Sequence, residues 1–448
     1  MTSSAQPSLP LARLLNHTAD AVQAVRAGHS LSAALARCPA PARAGTQALS
    51  FQVLRRLGAA QAARAALAPK APPPGTDALL LSALALLWPD AAPAYAEHTL
   101  VDQAVTAAQQ RPKTNAPFVN AVLRRFLRER ETLVDALQAD PVARFNHPAW
   151  WIERLERDWP GDWQAILAAN NAHPPMTLRV NARRSDAAAY VARLEAAGLP
   201  ATVVGPQAVR LTAPCPVTRL PGFADGDVSV QDAAAQLEAP LLLGDGALAP
   251  HGPRPRVLDA CTAPGGKTAH LLELADLDLL ALDSDAGRLA RVDETMRRLS
   301  LHAQLQAADA GDPAAWWDGR PFDAVLLDAP CTASGIVRRH PDVRWLRRAA
   351  DVAALAATQA RLLAALWPTL APGGRLLYCT CSVFLAEGRQ QIDAFLQRQP
   401  DAAMAAQPAS PGHLLPLPDN AENAGGDGRP LSGGASPDGF FYALLQKS

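Results

Sequence analysis

The C-terminal half of the chain alternates short apolar segments with amphipathic stretches, and this constrains the fold more than any other feature. Arg256 to Cys261, Leu277 to Asp283, Ala303 to Asp309, Phe322 to Pro330 and Arg375 to Cys381 read as strands. Between the second and third, Ala286 to Leu301 reads as a helix with Leu289, Val292, Met296 and Leu299 on one stripe. Alternation of this kind predicts a doubly wound, mostly parallel α/β sheet of Rossmann-like type, with ligands at the carboxyl ends of its strands. Phe440 to Leu445 predicts a late edge or hairpin strand. Ala405 to Asp438, rich in Pro, Gly, Ala and Asn, predicts a looped-out segment before it.

The first strand runs into Asp259-Ala260-Cys261-Thr262-Ala263-Pro264-Gly265-Gly266-Lys267-Thr268 and then a helix. A glycine pair lets backbone approach a ligand, and a helix N-terminus favours a carboxylate or phosphate. Three readings compete. A Walker A loop needs glycine where Cys261 stands, and a dinucleotide site needs a G-x-G-x-x-G that is absent. S-adenosylmethionine fits better, because the second strand ends at Asp283, where a carboxylate can take two ribose hydroxyls, while Asp309 lies at the end of the third. Asp283 as a helix N-cap is the plainer alternative. Lys267, one of four lysines in the chain, sits in the loop itself.

The fourth strand ends Leu327-Asp328-Ala329-Pro330-Cys331 and the fifth Tyr378-Cys379-Thr380-Cys381-Ser382, so cysteines from two strand tips can face one cleft. A stabilised thiolate there can add to an electrophilic carbon. Beside a methyl donor, this suits a pyrimidine: sulfur adds at carbon 6, carbon 5 becomes enamine-like and takes the methyl group, and the thiol is then eliminated. The competing reading makes both cysteines inert packing residues. The chain holds six cysteines in all, without the spacing of a disulfide framework or a zinc site, so no metal is expected.

At 448 residues, two or three domains are expected. Leu9 to Leu137 is Ala- and Leu-rich with helical periodicity, broken at Cys38 to Pro41 and at Pro69 to Gly75, and predicts an all-α domain over 1–140. It carries 14 Lys/Arg against 9 Asp/Glu, whereas the whole chain has net charge zero, so this end is the better partner for a polyanion. Its last helix, Pro117 to Leu133, sets Phe118, Val122, Leu123 and Phe126 on one face and Arg124, Arg125, Arg128 and Arg130 on others. Those arginines are either a solvated face or RNA-backbone contacts. A small α+β domain over 141–227 follows, opening with Trp150, Trp151, Trp159 and Trp163. The third domain, 228–448, begins near Val228-Ser229-Val230. With 49% apolar and 19% charged residues the chain is not disordered. No secretory pattern is seen in Met1 to Leu11 and no uncharged apolar run of membrane-spanning length, so the expected compartment is the cytoplasm, with a monomer as the default.

The DACTAPGGKT loop, the LLDAPCTASGIVRRHPDVRW segment and the YCTCSV strand end resemble the RNA cytosine-C5 methyltransferase family. FVNAVLRRF resembles that family's NusB-like RNA-binding domain, and FNHPAWW, PPMTLRVN and VSVQDAAAQ its middle region. The resemblance implies a class I S-adenosylmethionine-dependent methyltransferase domain acting on 16S (small-subunit) rRNA. It places the nucleophile at Cys381, product release at Cys331 and a base contact at Asp328. The cofactor would be held by Cys261, Thr262, Ala263, Pro264, Gly265, Gly266, Lys267, Asp283, Asp309 and Asp328. Arg338, Arg339 and His340, after the second cysteine-bearing turn, would hold RNA backbone or simply form a charged surface loop. The target cytosine has to be unpaired or flipped. Two departures stand out: a cysteine at 379, and Leu385-Ala386-Glu387-Gly388 where Pro-Glu-Glu-Asn is commoner. The rival readings are a non-catalytic RNA-binding assembly factor with a degenerate methyltransferase domain, and a DNA cytosine methyltransferase with Cys331 as nucleophile.

Overall fold

The computed structural model describes residues 9–89, 93–244, 248, 252–417 and 437–448. Residues 1–8, 249–251 and 418–436 lie outside the described residues, and with them most of the Met1 to Leu11 start, part of the Ala249 to Pro255 connection and much of the Ala405 to Asp438 segment. The chain divides into two compact units. One comprises residues up to Ala172 together with Val337–Arg348, and the other His173–Ile336 with Ala349–Ser448.

The first unit is helical. Helices Leu11–Arg26, Ala40–Arg55, Leu57–Leu67, Glu97–Gln110 and Ala116–Leu137 pack with Pro74–Leu86, whose residues Thr76 to Ala85 are all buried. A helix apolar on every side belongs at the centre of a bundle. Its one carboxylate, Asp77, is neutralised by Arg26 at 2.8 Å and Arg64 at 3.0 Å. The bundle continues past residue 140 through Pro141–Phe145, where Asn146 Oδ1 accepts from the Ala59 backbone N–H at 2.9 Å. Trp151 is fully buried there and Trp163 meets Phe145 at 5.1 Å, so these two tryptophans serve the core.

The same unit takes in Val337–Arg348, whose Arg338, Arg339 and His340 read from the sequence as RNA-backbone contacts or a charged surface loop. Asp342 accepts from the Leu31 backbone N–H at 2.9 Å, and Trp345 Nε1 donates to the Leu54 carbonyl at 2.8 Å. Arg344 is fully buried and donates to the carbonyls of Asn146 at 3.1 Å and Asn170 at 2.7 Å and to Asn171 Oδ1 at 2.5 Å. Burial, with Arg55 nearby, lowers its pKa well below the ordinary arginine range. Converging carbonyls explain how an arginine-rich segment goes inside.

In the second unit a small antiparallel sheet comprises β1 (Thr177–Val180), β2 (Ala201–Val203), β3 (Ala208–Leu211) and β4 (Val228–Val230), in the order β2-β3-β1-β4. Val228 to Val230, expected to open the third domain, instead pairs with β1 and closes this sheet. The large sheet comprises β5 (Arg256–Asp259), β6 (Asp278–Asp283), β7 (Gln304–Ala307), β8 (Phe322–Asp328), β9 (Leu370–Thr380), β10 (Ala402–Met404), β11 (Gly412–Leu414) and β12 (Phe440–Lys447). Its order is β10-β12-β9-β8-β5-β6-β7, with β11 also on β12; β5 to β9 run parallel and β12 antiparallel to β9. The late strand is therefore not an edge but is paired along both sides, and β11 forms where a loop was expected.

Helices cover both faces, as the alternation requires. Gly266–Leu274 and Ala286–Leu299 lie on one, the latter burying Leu289, Val292, Met296 and Leu299, the stripe read from the sequence. Ala349–Leu366 and Arg389–Arg398 lie on the other through Leu362, Leu363, Leu366, Ile392 and Phe395. The doubly wound Rossmann-like architecture stands as expected, with the tips of β5, β6, β8 and β9 at one end of the sheet.

Candidate active site

The turn after β5 is held chiefly by backbone. Thr262 N–H donates to the Leu282 carbonyl at 2.9 Å and Gly265 N–H to the Thr262 carbonyl at 2.7 Å. Gly265 has φ of +91°, and a Cβ there would lie 2.9 Å from Val292 Cγ1, so the position requires glycine twice over. A Cβ on Gly266 would meet nothing within 4 Å, and the helix therefore begins against open space. Beneath the turn Thr268 donates to the fully buried Asp259 at 2.6 Å and also contacts Thr262. The other Asp259 oxygen has no hydrogen-bond partner among the described residues; burial raises this carboxyl to about 6 against the Thr268 hydrogen bond. Asp259 was not among the site residues picked from the sequence, although a buried carboxyl at the tip of a strand was a visible signal.

Asp283, at the end of β6, reaches the Ala263 backbone N–H at 3.3 Å and accepts from the Asp285 N–H at 3.0 Å; Arg288 lies 3.4 Å away. The helix N-cap proves to be Asp285, which accepts from Gly287 and Arg288, so Asp283 is not used for that purpose. Asp309 lies two residues beyond β7, half exposed, with Arg361 at 3.0 Å and the Gly311 N–H at 2.8 Å. Arg361 and that backbone donor hold its pKa below the usual carboxylate range. The glycine turn, open helix start and two strand-end carboxylates fit S-adenosylmethionine, which offers a cationic centre, a carboxylate and ribose hydroxyls. Cys261 supplies no anion: burial and the surrounding carboxylates push its thiol pKa up.

Lys267 extends from this helix to Asp328 at the tip of β8, with Nζ 2.9 Å from Oδ1. Burial works against its charge, but the Asp328 carboxylate, with Glu238 beyond it, outweighs burial and holds the ammonium well above the ordinary lysine value. Cys379 is fully buried at 3.3 Å from Lys267 Nζ and 3.6 Å from Asp328 Oδ1. Burial pushes its thiol up despite the lysine.

The two predicted cysteines come together. Cys331, just beyond β8, and Cys381, just beyond β9, have their sulfurs 3.5 Å apart, and neither is fully buried. The Cys331 pKa is raised well above the usual thiol value by the hydrogen bond with Cys381 and by burial. Their turns are knitted by side chains. Ser334 and Ser382 hydroxyls lie 2.8 Å apart, and Ser334 Oγ accepts from the Val383 N–H at 2.9 Å. Gly335 N–H donates to the Cys381 carbonyl at 2.9 Å, and a Cβ on Gly335 would collide with the Gly439 carbonyl.

Sequence reasoning also missed Arg179, in the MTLRVN motif. It forms a bidentate, almost fully buried pair with Glu273 (2.9 and 2.8 Å) and donates to the Gly266 carbonyl at 2.7 Å and Gln231 Oε1 at 2.6 Å. The VSVQDAAAQ motif is likewise structural: Gln231 binds Glu238 at 3.0 Å and Gln236 the Leu178 carbonyl at 3.2 Å. Among the expected RNA contacts, Arg124 and Arg125 are exposed, Arg125 pairing with Glu129 at 3.0 Å, and His340 is exposed. Arg338 is only 3% exposed and its carbonyl accepts from Arg55 at 2.6 Å, so it does not lie on an open loop.

Comparison with known proteins agrees with this geometry. Residues 246–446 match the family model of the 16S rRNA methyltransferase RsmB/F, and residues 147–218 the ferredoxin-like domain of RsmF/B-like methyltransferases. A ribosomal RNA small subunit methyltransferase B from Pseudomonas putida is 47% identical over 84% of each chain. One from Vibrio cholerae is 42% identical over 95% of each. A solved methyltransferase homolog from Pyrococcus horikoshii, 25% identical, matches with a TM-score of 0.55 over 69% of this chain and 98% of its own. The second unit is a class I methyltransferase domain with S-adenosylmethionine as its cofactor, and the helical front is NusB-like. With relatives 42% identical over 95% and 47% identical over 84% of its length, the chain belongs to the RsmB/F family of 16S rRNA methyltransferases.

Proposed function

We propose that this protein methylates carbon 5 of one cytosine in small-subunit rRNA through a covalent adduct on Cys381. The observation that carries the reading is the 3.5 Å approach of Cys331 and Cys381 at adjacent strand tips, beside the Lys267–Asp328 pair. S-adenosylmethionine, when bound, supplies an electrophilic methyl group. Cys331, holding its proton, is placed to donate to the Cys381 sulfur, which leaves Cys381 as the sulfur that adds to carbon 6. Asp328, oriented by Lys267, faces the cytosine edge, where it accepts from the exocyclic amine and, once protonated, donates to N3, which supports addition of sulfur at carbon 6. After carbon 5 is methylated a base, water or a side chain, takes its proton; the C–H electron pair reforms the 5,6 double bond, Cys381 leaves carbon 6 as a thiolate, and Cys331, 3.5 Å away, is within reach to protonate it. Cys379, buried and held as a thiol, takes no part in covalent chemistry.

The cofactor is held by the Cys261 to Lys267 turn with Asp283, Asp309 and Asp328. On the helical unit, exposed Arg124 and Arg125 make phosphate contacts, with Arg339 and His340 contributing from the Val337–Arg348 segment. A ribosomal RNA substrate places the reaction in the cytoplasm.

Trapping on small-subunit rRNA carrying 5-fluorocytosine tests the assignment. Cys381→Ala should form no adduct and lose turnover by about a thousandfold or more, as removal of a nucleophile does. Cys331→Ala should accumulate the adduct. The opposite pattern would reverse the roles of the two cysteines, and absence of labelled 5-methylcytidine with the parent protein on both naked rRNA and assembly intermediates would favour the non-catalytic reading.

A further inference from the structure

One buried carboxylate touches both cysteine-bearing turns. Glu387 lies in the Leu385–Glu387 turn that follows β9, fully buried. It accepts from Thr332, the residue after Cys331, twice: from the backbone N–H at 2.8 Å and from the hydroxyl at 2.5 Å. It accepts from Ser382, the residue after Cys381, at 2.6 Å. Gln359 Nε2 donates to it at 3.3 Å while also binding the Pro330 carbonyl at 2.9 Å, on the other side of Cys331. The Glu387 carbonyl receives Tyr378 OH at 2.8 Å and Thr380 Oγ1 at 3.3 Å, so its own backbone is anchored to β9.

We propose that Glu387 is a positioning residue that fixes the spacing of Cys331 and Cys381, so that addition and release can share one proton between two sulfurs. A carboxylate suits the task because it accepts four hydrogen bonds and donates none, and four donors from three segments converge here. Burial raises the Glu387 pKa, and the hydrogen bonds from Ser382, Thr332 and Gln359 oppose that rise. Within the Leu385-Ala386-Glu387-Gly388 segment, Glu387 makes these side-chain contacts to the cysteine turns. This inference rests on Cys331 and Cys381 being the reacting pair.

The test uses the full chain and the variants Glu387→Ala, Glu387→Gln, Ser382→Ala and Thr332→Val. Three quantities are followed: capture of the two thiols by a trivalent phenylarsine, with the bridged peptides identified by mass; the single-turnover rates of adduct formation and release on RNA; and S-adenosylmethionine affinity. The phenylarsine oxide binds both sulfurs with loss of one water and so reports their spacing without RNA. A displacement of about 1 Å costs on the order of a hundredfold in rate, so Glu387→Ala should slow release about a hundredfold and cut bridging, with cofactor affinity within about twofold of the parent. In Glu387→Gln the Thr332 and Ser382 hydroxyls can turn to accept from the amide, and the expected loss is nearer tenfold.

Bridging and release at the parent rate in Glu387→Ala would overturn the proposal. So would cofactor affinity falling in step with turnover in every variant, since a merely structural role predicts that. If Glu387→Ala does not fold, Ser382→Ala and Thr332→Val, which remove single donors, decide the matter on the same readouts. Failure of the carbon-5 reading would appear as no adduct with the parent protein and would leave the bridging result standing.

Discussion

The turns that follow β5 and β8 sit at neighbouring strand tips but are built in opposite ways. The β5 turn, Ala260 to Gly265, is shaped by backbone hydrogen bonds and a glycine in a left-handed conformation, with its side chains turned down towards Asp259 or kept small. The β8 turn, Ala329 to Ile336, is shaped by hydroxyls and a carboxylate reaching across from the β9 turn. A backbone-built turn leaves its surface free for a ligand, as cofactor binding requires. A turn built from side chains holds two sulfurs at a set spacing, as a reaction passing through both requires. The difference teaches that the cofactor end is sensitive to added bulk and to what supports it from behind, whereas the thiol end is sensitive to the loss of individual polar groups.

Breaking the support behind the β5 turn has the largest expected effect on stability. Arg179→Met leaves Glu273 buried without its partner and should lower unfolding free energy by about 3 to 5 kcal/mol in urea. Stability unchanged from the parent would show that the pair is dispensable. Asp259 comes next. Its carboxyl rises from an ordinary 3.8 to about 6 in the folded chain, so the native state holds this proton more tightly than the unfolded one. The parent should therefore lose stability as pH climbs from about 4 to about 6, by on the order of 2 to 3 kcal/mol, and lose no more from this group above that window. Asp259→Asn should be flatter across the same window in urea titrations; an identical slope would mean the carboxyl ionises normally.

Gly265→Ala sharpens the contrast directly. A left-handed conformation costs a non-glycine residue about 1 to 2 kcal/mol, and the added methyl meets Val292, so cofactor affinity measured by calorimetry should fall about tenfold. Unchanged affinity would show that the turn has room to relax. The smallest effect lies far from either turn. Arg125→Ala removes an exposed pair with Glu129 and should change stability by less than about 0.5 kcal/mol, while weakening RNA binding and reducing its salt slope by about one if the arginine meets phosphate.

Much of the large sheet was legible because it rests on periodicity. The Leu289, Val292, Met296 and Leu299 stripe, the strand tips at Asp283 and Asp328, and the strand ending one residue before Cys381 follow from local pattern alone. The meeting of Cys331 with Cys381 was legible at one remove, because parallel strands put their tips side by side. What escaped was whatever depended on partners distant in sequence. Glu387 stands in a segment that looked only like a departure from a commoner pattern, and its importance comes from Thr332, 55 residues away. Arg179 reads as one charged residue within a strand, although Glu273 neutralises it. Arg338 reads as an RNA contact or part of a charged surface loop, and nothing local singles out Arg344, whose burial depends on the converging carbonyls of Asn146 and Asn170. Val228 to Val230 has the composition of any short strand, and nothing local says which sheet it joins.

The assignment of Val337–Arg348 to the helical unit has a consequence for ancestry and for engineering. No single cut in the chain yields both units whole: a fragment ending at Ala172 lacks the segment carrying Asp342, Arg344 and Trp345, and a fragment beginning at His173 carries that segment without its bundle. The helical unit is thus not an interchangeable module appended to a methyltransferase. Exchange of one unit between relatives requires transplanting two stretches of sequence together, and natural variation in the bundle core around Leu31, Leu54 and Asn170 should be correlated with variation in a dozen residues lying more than 150 positions downstream.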